Sequence, residues 1–567
     1  VQVRHWIVGV VAVVAVAGAY VLGNHANVPV APSSASHPQG GLSAMLDRTL
    51  AAAGGSSASP PSAAPASPPP ATSGNAAAPA AESGFGFATV EALARDLAAK
   101  PFEAASNKLP AAIAHLTYDQ YQSIRFRRAD ALWRNQSLYE VQFFHRGFNF
   151  DRRVSISEVV EGVAHPVPYN ATWFDFGKVV RQPGKLPRDL GYAGFRIHYP
   201  LHSPGYKDEL IVFLGASFFR VLGRNQDYGL TARGLAINTA SKAGEEFPWF
   251  TDFWLVRPTD PEQRTLTLYA LLDSESITGA YQFTVRPGGI TQVEVTSTLY
   301  PRRSIQKLGI APLTSMFLFG TDPSGHRFDD YRPQVHDSDG FMAQTGTGEW
   351  LWRPLTNPHE LRINRFMDQQ PRGFGLIQRD RDFTHYQDPV ARFQRRPSYW
   401  IQPLGDWGKG GAELVEIPTD EAIHDNIALY WVPERPVTAG NELHFSYLLS
   451  AHGDSPLWPP GGKVRATRIT AATADEQRDH SDARRVIIDF AGGDLDGLDP
   501  TQPLKALLTV NAGTTENVTV ERVADSGVWR VSFLVVPTHP HETVDMHCFL
   551  QLYGESLSET WNYQLAT

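Results

Sequence analysis

From residue 138 onward, apolar and polar positions alternate in short runs. The first set is LYEVQFFH, VSISEVV, GFRIHYP, ELIVFLG, TLTLYALL, AYQFTVRP and TQVEVTSTLYP. A period of two, bounded by Gly, Pro and Asp, predicts strands that bury one face. A polar, proline-rich break, AHGDSPLWPPGG, covers residues 451–462. A second set then follows: RVIIDFAG, ALLTVNAG, NVTVERV, VWRVSFLVV, VDMHCFLQLYG and ETWNYQL. About seven strands in roughly a hundred residues fit an immunoglobulin-like sandwich. The fold class is therefore mainly β. A large β-sandwich spans 84–452, a linker 453–464, and an immunoglobulin-like β-sandwich 465–567.

Before residue 138 the period changes. Val90, Leu93 and Leu97 in VEALARDLAAK predict a helix capped by Thr89, and LTYDQYQSIRF predicts a second, short one. Residues 6–23 (WIVGVVAVVAVAGAYVLG) carry no charge and follow Arg4. Residues 1–30 thus read as a membrane anchor or signal segment, the anchor with Arg4 inside being favoured over cleavage near Ala26. Residues 31–83, rich in Ala, Pro and Ser, read as a disordered tether. Within it, Leu42, Met45, Leu46 and Leu50 suit only a transient helix.

Charge changes the picture little. The net charge of −9 over 567 residues is dispersed, which argues against a nucleic-acid partner. Cys548 is the only cysteine, so no intrachain disulfide can form, and the compartment is not decided by cysteine usage.

Candidate chemistry lies in the middle of the chain, where aromatics interleave with acids and arginines. VHDSDG carries His336, Asp337 and Asp339; GEWLWRPL carries Glu349, Trp352 and Arg353; GFGLIQRDRDFTHYQDP carries Arg379, Asp380, Asp382, His385, Tyr386 and Asp388. Tyr399, Trp400 and Trp407 follow. Ring faces stack on sugar C–H surfaces while charged groups bind hydroxyls, so this mixture suits a carbohydrate. Glycoside cleavage needs two carboxyl groups in unlike environments, one protonated and one ionised. The candidates are Asp337, Asp339, Glu349, Asp382, Asp388, Glu413, Glu416, Asp420 and Asp425. Asp425 stands apart because it abuts IALYW at 427–431, where burial would raise its pKa as a general acid requires.

Other patterns point nowhere strong. HDSDG lacks the ligand spacing of a calcium loop. In THPHETVDMHC, Asp545 and His547 alternate onto one strand face and Cys548 onto the other, so His539, His541, His547 and Cys548 do not make a metal site. Ser217 lies outside any Gly-x-Ser-x-Gly elbow. No cofactor and no metal are expected.

Longer stretches carry a resemblance. GASFFRVLGRNQDYGLTARGLAINTASKAGEEFPWF, LYALLDSESITGAYQFTV, LGIAPLTSMFLFG, YRPQVHDSDG, GEWLWRPL, GDWGKGGAELVEIPT and LSETWNYQL resemble the periplasmic glucan biosynthesis protein G/D family (OpgG/OpgD, MdoG/MdoD) from about Gly84 onward. The resemblance implies a galactose-mutarotase-like sandwich followed by an immunoglobulin-like domain, in the periplasm; residues 1–30 lie outside it, and their apolar run is what would tether the protein to the inner membrane. It implies action on β-1,2-glucan, beside an inner-membrane glucan synthase. D-type members resemble inverting β-1,2-glucan hydrolases; by position, their general acid matches Asp425 and their general base Asp337, a residue expected in a wetter loop. It also implies a homodimer in which a loop near residues 456–468 reaches the partner's cleft. His336, Trp352, Arg379, Tyr386 and Trp407 are the expected substrate-binding residues. The same site could instead transfer the glycosyl unit, branching or cyclising glucan, or serve a non-catalytic glucan-binding scaffold.

Overall fold

The computed structural model describes residues 84–242, 244–322, 327–453, 459–473, 475–476, 482–539 and 542–566. The anchor and tether segments lie outside these residues. Among the described residues no helix is long and apolar enough to cross a membrane.

The alternating runs form strands as expected, and the architecture is mainly β. One sheet of ten strands contains, in order, Glu140–Phe144, Gly194–Ser203, Tyr206–Leu214, Phe218–Val221, Thr231–Arg233, Leu308–Ser315, Ile427–Pro433, Lys409–Glu416 and Arg362–Gln369, with Leu235–Ile237 paired onto Leu308–Ser315. A second sheet of fifteen strands faces it. Its centre is Ile277–Arg286, Thr291–Pro301, Leu443–His452 and Ser398–Leu404. The alternation puts Phe213 and Phe219 on the inner face of the first sheet, against Phe283 of the second at 5.2 and 5.3 Å between ring centroids. This is sandwich packing, with one large apolar core between two inner faces.

The fifteen-stranded sheet continues into the C-terminal strands. Trp350–Pro354 pairs in parallel with Thr560–Ala566, which pairs with Thr543–Leu552 and so with Lys505–Val510. A four-stranded sheet, Lys463–Ala471, Arg484–Ala491, Trp529–Val536 and Thr514–Arg522, covers that end over a second core containing Cys548, Trp561 and Phe533. Cys548 points inward and His547 outward, as the alternation requires. Residues 463–468, within the expected partner-reaching loop, belong to the strand Lys463–Ala471 instead.

The first helix begins earlier than expected. It spans Phe87–Ala98 with Gly86 at the N-cap. Thr89 is the third helical residue, and its hydroxyl accepts from the Gly86 N–H at 3.3 Å. A threonine hydroxyl satisfies a helix-start N–H from that position as well as from the cap itself. Val90 and Ala94 face the protein, while Leu93 is exposed. The second helix is only Tyr118–Gln122, capped by Thr117.

Candidate functional site

The apolar run 427–431 forms the strand Ile427–Pro433, buried along nearly its whole length between Leu308–Ser315 and Lys409–Glu416. Asp425 lies two residues ahead of it. Asn426 pins this entrance: its Oδ1 accepts from the Phe317 N–H at 2.8 Å, and its Nδ2 donates to Phe317 O and Ile417 O, each at 3.0 Å. The neighbouring residue Met316 accepts the Asp337 N–H at 2.8 Å. Ser315, which faces Ile427 across the ladder, meets the Ser338 hydroxyl at 2.9 Å. One segment, residues 315–317, therefore positions both acids through main-chain and buried side-chain contacts.

Asp425 is half-buried as a residue, but its Oδ2 is sealed from solvent and has no hydrogen-bond partner in the protein. Burial pushes its carboxyl up to about 7; Arg220, Arg233 and Arg396 oppose this and the nearby Asp337 charge adds to it. Asp337 is not the hydrated member expected from the sequence. It is 6% exposed, and burial raises its pKa too, against the pull of Arg396, Arg220 and His336. Val335–His336 pairs as a strand with Phe317–Phe319 and Met316 accepts the Asp337 N–H, so a segment remote in sequence removes the water that a loop was expected to keep.

Three buried arginines complete this cluster, and the sequence reading missed them. Arg396 Nε lies 3.4 Å from Asp337 Oδ1 without hydrogen-bond geometry. Arg396 packs its stem on Gly229, where a Cβ would come within 2.9–3.1 Å of Arg396 carbons. Arg220 is anchored by Nε to the Thr231 hydroxyl at 2.8 Å. Arg233 is paired with Glu245 at 2.6 Å. A signal was present for Arg220: FFRV puts it inside an otherwise apolar strand, the same oddity that marked Asp425. Asp337 Oδ1, Asp425 Oδ2, Arg396 Nε and Arg233 Nε are all buried without a hydrogen-bond partner in the protein. Each such group costs about 1–3 kcal/mol. They gather around two carboxyls that burial pushes to higher pKa.

The expected substrate-binding residues divide. His336, Trp352 and Arg379 line a cavity of about 1560 Å³. Neither Asp337 nor Asp425 is on its described wall. The Trp352 ring is covered by the Arg379 guanidinium, 3.4 Å above it, and that guanidinium forks onto Glu559 at 2.6 and 2.8 Å. Tyr386 is fully buried behind His336, edge-on at 5.3 Å. Trp407 is a core residue, packed among Phe374, Trp431, Phe445 and Tyr447, with Nε1 donating to Ser446 O. Its ring has no face for a sugar, which corrects its expected role.

The other acids are accounted for locally. Asp339 Oδ2 accepts the main-chain N–H groups of Arg379 and Asp380. Asp382 caps the turn Phe383–His385, and Asp388 accepts the Val390 and Ala391 N–H groups. Glu349 is exposed and bonds Thr560; Asp420 is exposed. Glu413 and Glu416 are buried and fully engaged, Glu416 by Arg353 and Thr356.

The family described as "Periplasmic glucan biosynthesis protein, MdoG" matches over residues 85–565. A protein of Ralstonia nicotianae named "Glucans biosynthesis protein G" is 44% identical over 494 residues, covering 86% of this chain and 97% of the relative. One of the same name from Bradyrhizobium diazoefficiens is 45% identical over 478 residues, covering 84% and 92%. Another, from Shewanella frigidimarina, is 44% identical over 481 residues, covering 84% of each.

Proposed function

The chain belongs to the MdoG family of periplasmic glucan biosynthesis proteins, and from that premise we propose that it cleaves β-1,2-linked glucan with inversion at the anomeric carbon. The observation that carries this reading is the pair of half-buried Asp425, with a sealed and unpartnered Oδ2, and buried Asp337, with an unpartnered Oδ1, both under the charge of Arg220 and Arg396. Asp425, pushed up to about 7, keeps its proton through the mildly acidic range and on about half of the molecules at pH 7. It gives that proton to the glycosidic oxygen as the C1–O bond breaks. Asp337, with Arg396 at 3.4 Å, takes a proton from the attacking oxygen on the opposite face of the ring. The electron pair of the broken bond stays on the leaving oxygen, and the incoming oxygen completes the new bond to C1.

We read residues 84–452 as the galactose-mutarotase-like part that handles glucan and 465–567 as immunoglobulin-like. The periplasmic body would be held to the inner membrane through the apolar run 6–23, near a glucan synthase. A homodimer rests on the resemblance alone.

A second reading is favoured by one observation: Asp337 is 6% exposed. A base so shielded is better placed to receive a sugar hydroxyl, or a proton relayed through one, than bulk water. The site would then transfer the glycosyl unit and branch or cyclise the glucan. Incubation of the protein with linear β-1,2-glucan and mass spectrometry of the products separates the readings. Hydrolysis adds one water per cleavage, and transfer adds none. Binding without turnover at any pH would leave the scaffold role.

A further inference from the structure

His336 lies beside Asp337, buried to 1% exposure, and no step of the mechanism uses it. Its ring is stacked on Phe317 at 5.4 Å. Two glutamine amides face its two nitrogens, and their orientation can be read from what else they bond. The Gln378 amide nitrogen lies 3.2 Å from His336 O, 2.9 Å from the Tyr386 hydroxyl oxygen and 3.1 Å from Phe393 O. The Tyr386 hydroxyl spends its own proton on Asp380 O at 2.9 Å, so it accepts from Gln378. The other end of that amide, Oε1, is therefore the atom 3.0 Å from His336 Nδ1. The Gln334 amide nitrogen donates to the Asp380 carboxylate at 2.7 Å. Its Oε1 is then the atom 2.9 Å from His336 Nε2.

An amide oxygen only accepts. Only a ring with a proton on each nitrogen turns both contacts into hydrogen bonds. A neutral ring would aim a lone pair at one of these oxygens inside the protein, leaving two buried acceptors facing each other. The counter-charge is present: Asp339 Oδ1 lies 3.2 Å from Nδ1.

We propose that His336 is a fixed buried imidazolium and that, with Arg396, it acts as a positioning residue that keeps Asp337 in the ionised form a base needs. The assignment of the imidazolium stands on the hydrogen bonds alone; its service to Asp337 rests on the acid–base reading above. The charged groups facing His336 are Asp339 directly and Asp380 through Gln334, the latter also paired with exposed His385 at 2.7 Å. Those acting on Asp337 are Arg396, Arg220 and the carboxyl of Asp425. The positive ring opposes the rise that burial imposes on Asp337.

The test uses the full chain labelled with nitrogen-15 histidine and observed by magic-angle-spinning NMR at pH 7.5. The His336 signals are identified by their loss in His336→Gln. Both nitrogens are expected at the protonated position, each split by a directly bonded hydrogen. One nitrogen at the unprotonated position would overturn the assignment. Gln334→Met withdraws the acceptor at Nε2 and should return one nitrogen of that ring to the unprotonated position, which identifies the ring should His336→Gln not fold. For the second half, the acidic limb of the pH–rate profile on linear β-1,2-glucan should move to higher pH in His336→Gln. Activity near pH 5.5 should fall about tenfold further than activity near pH 8. Equal loss at every pH would assign His336 a purely structural role. A wild type without turnover would remove the acid–base reading while leaving the nitrogen spectrum to decide the charge.

Discussion

Glu413 and Asp425 stand on or beside neighbouring strands of the same sheet, and both carboxyls are buried, yet they are opposites. Glu413 receives Lys307 Nζ at 2.7 Å, the Tyr430 hydroxyl at 2.7 Å and Arg365 Nε at 2.9 Å. Burial pushes its pKa up, and these three donors more than cancel the push, so it sits below the usual range. Asp425 has arginines nearby but no donor on Oδ2, and burial wins. Burial of a carboxyl does not by itself identify a working acid, because the donors on Glu413 reverse its effect. The first arrangement holds a sheet together. The second leaves a sealed oxygen with no donor from the protein.

The contrast is broken most sharply by amides. Asp425→Asn cannot donate a proton, and Asp337→Asn cannot accept one. Each should lower turnover of β-1,2-glucan by roughly 10²–10⁴-fold while the urea midpoint stays level or rises. Glu413→Gln should do the reverse. Leaving partly exposed Lys307 and Arg365 without their buried counter-charge should cost about 1–3 kcal/mol in urea unfolding. Turnover per folded molecule should persist.

The dependence of stability on pH sharpens the same contrast. Asp425 holds its proton in the folded state up to about 7, against about 3.9 when unfolded. Between these values the folded state binds more protons, so this group's contribution favours folding at acid pH and decays as pH rises toward 7. Glu413, depressed when folded, contributes above its unfolded value and loses that contribution as pH falls through the folded one. Urea midpoints at pH 5 and pH 8 should therefore show Asp425→Asn gaining on the wild type with rising pH. The deficit of Glu413→Gln should shrink only toward pH 4 and below.

The smallest intended change is Gly229→Ala. The new methyl would press on the stem of Arg396 at 2.9–3.1 Å and shift its guanidinium from Asp337. Activity should fall roughly 10-fold, short of the ~10²-fold that a 1 Å misplacement can cost, with the fold retained. Unchanged kinetics would detach Arg396 from the acid pair.

How far this contrast was legible in the sequence depends on which residues are asked. The strand pattern and the buried strand after Asp425 follow from local alternation, and so did the suspicion attached to an acid at its mouth. Asp337 was expected to be wet because its neighbours are polar. Its burial comes from Met316 and Arg396, whose approach is a tertiary event that no local window contains. Trp407 sits among glycines and a lysine, which resembles an exposed platform, but the direction of its ring is set by strands far along the chain. Arg220 is a lone charge inside the apolar strand FFRV, a local signal as plain as that of Asp425, whereas Arg233 at the end of TAR and Arg396 in a loop carry no such mark.

The most direct test is the pH profile of reducing ends released from linear β-1,2-glucan by the wild-type chain, run beside Asp425→Asn. The account predicts a bell-shaped profile for the wild type whose basic limb falls near pH 7, where Asp425 loses its proton, and release by the variant lowered roughly 10²–10⁴-fold with that basic limb gone. Release by Asp425→Asn at the wild-type rate, with the basic limb in place, would contradict it.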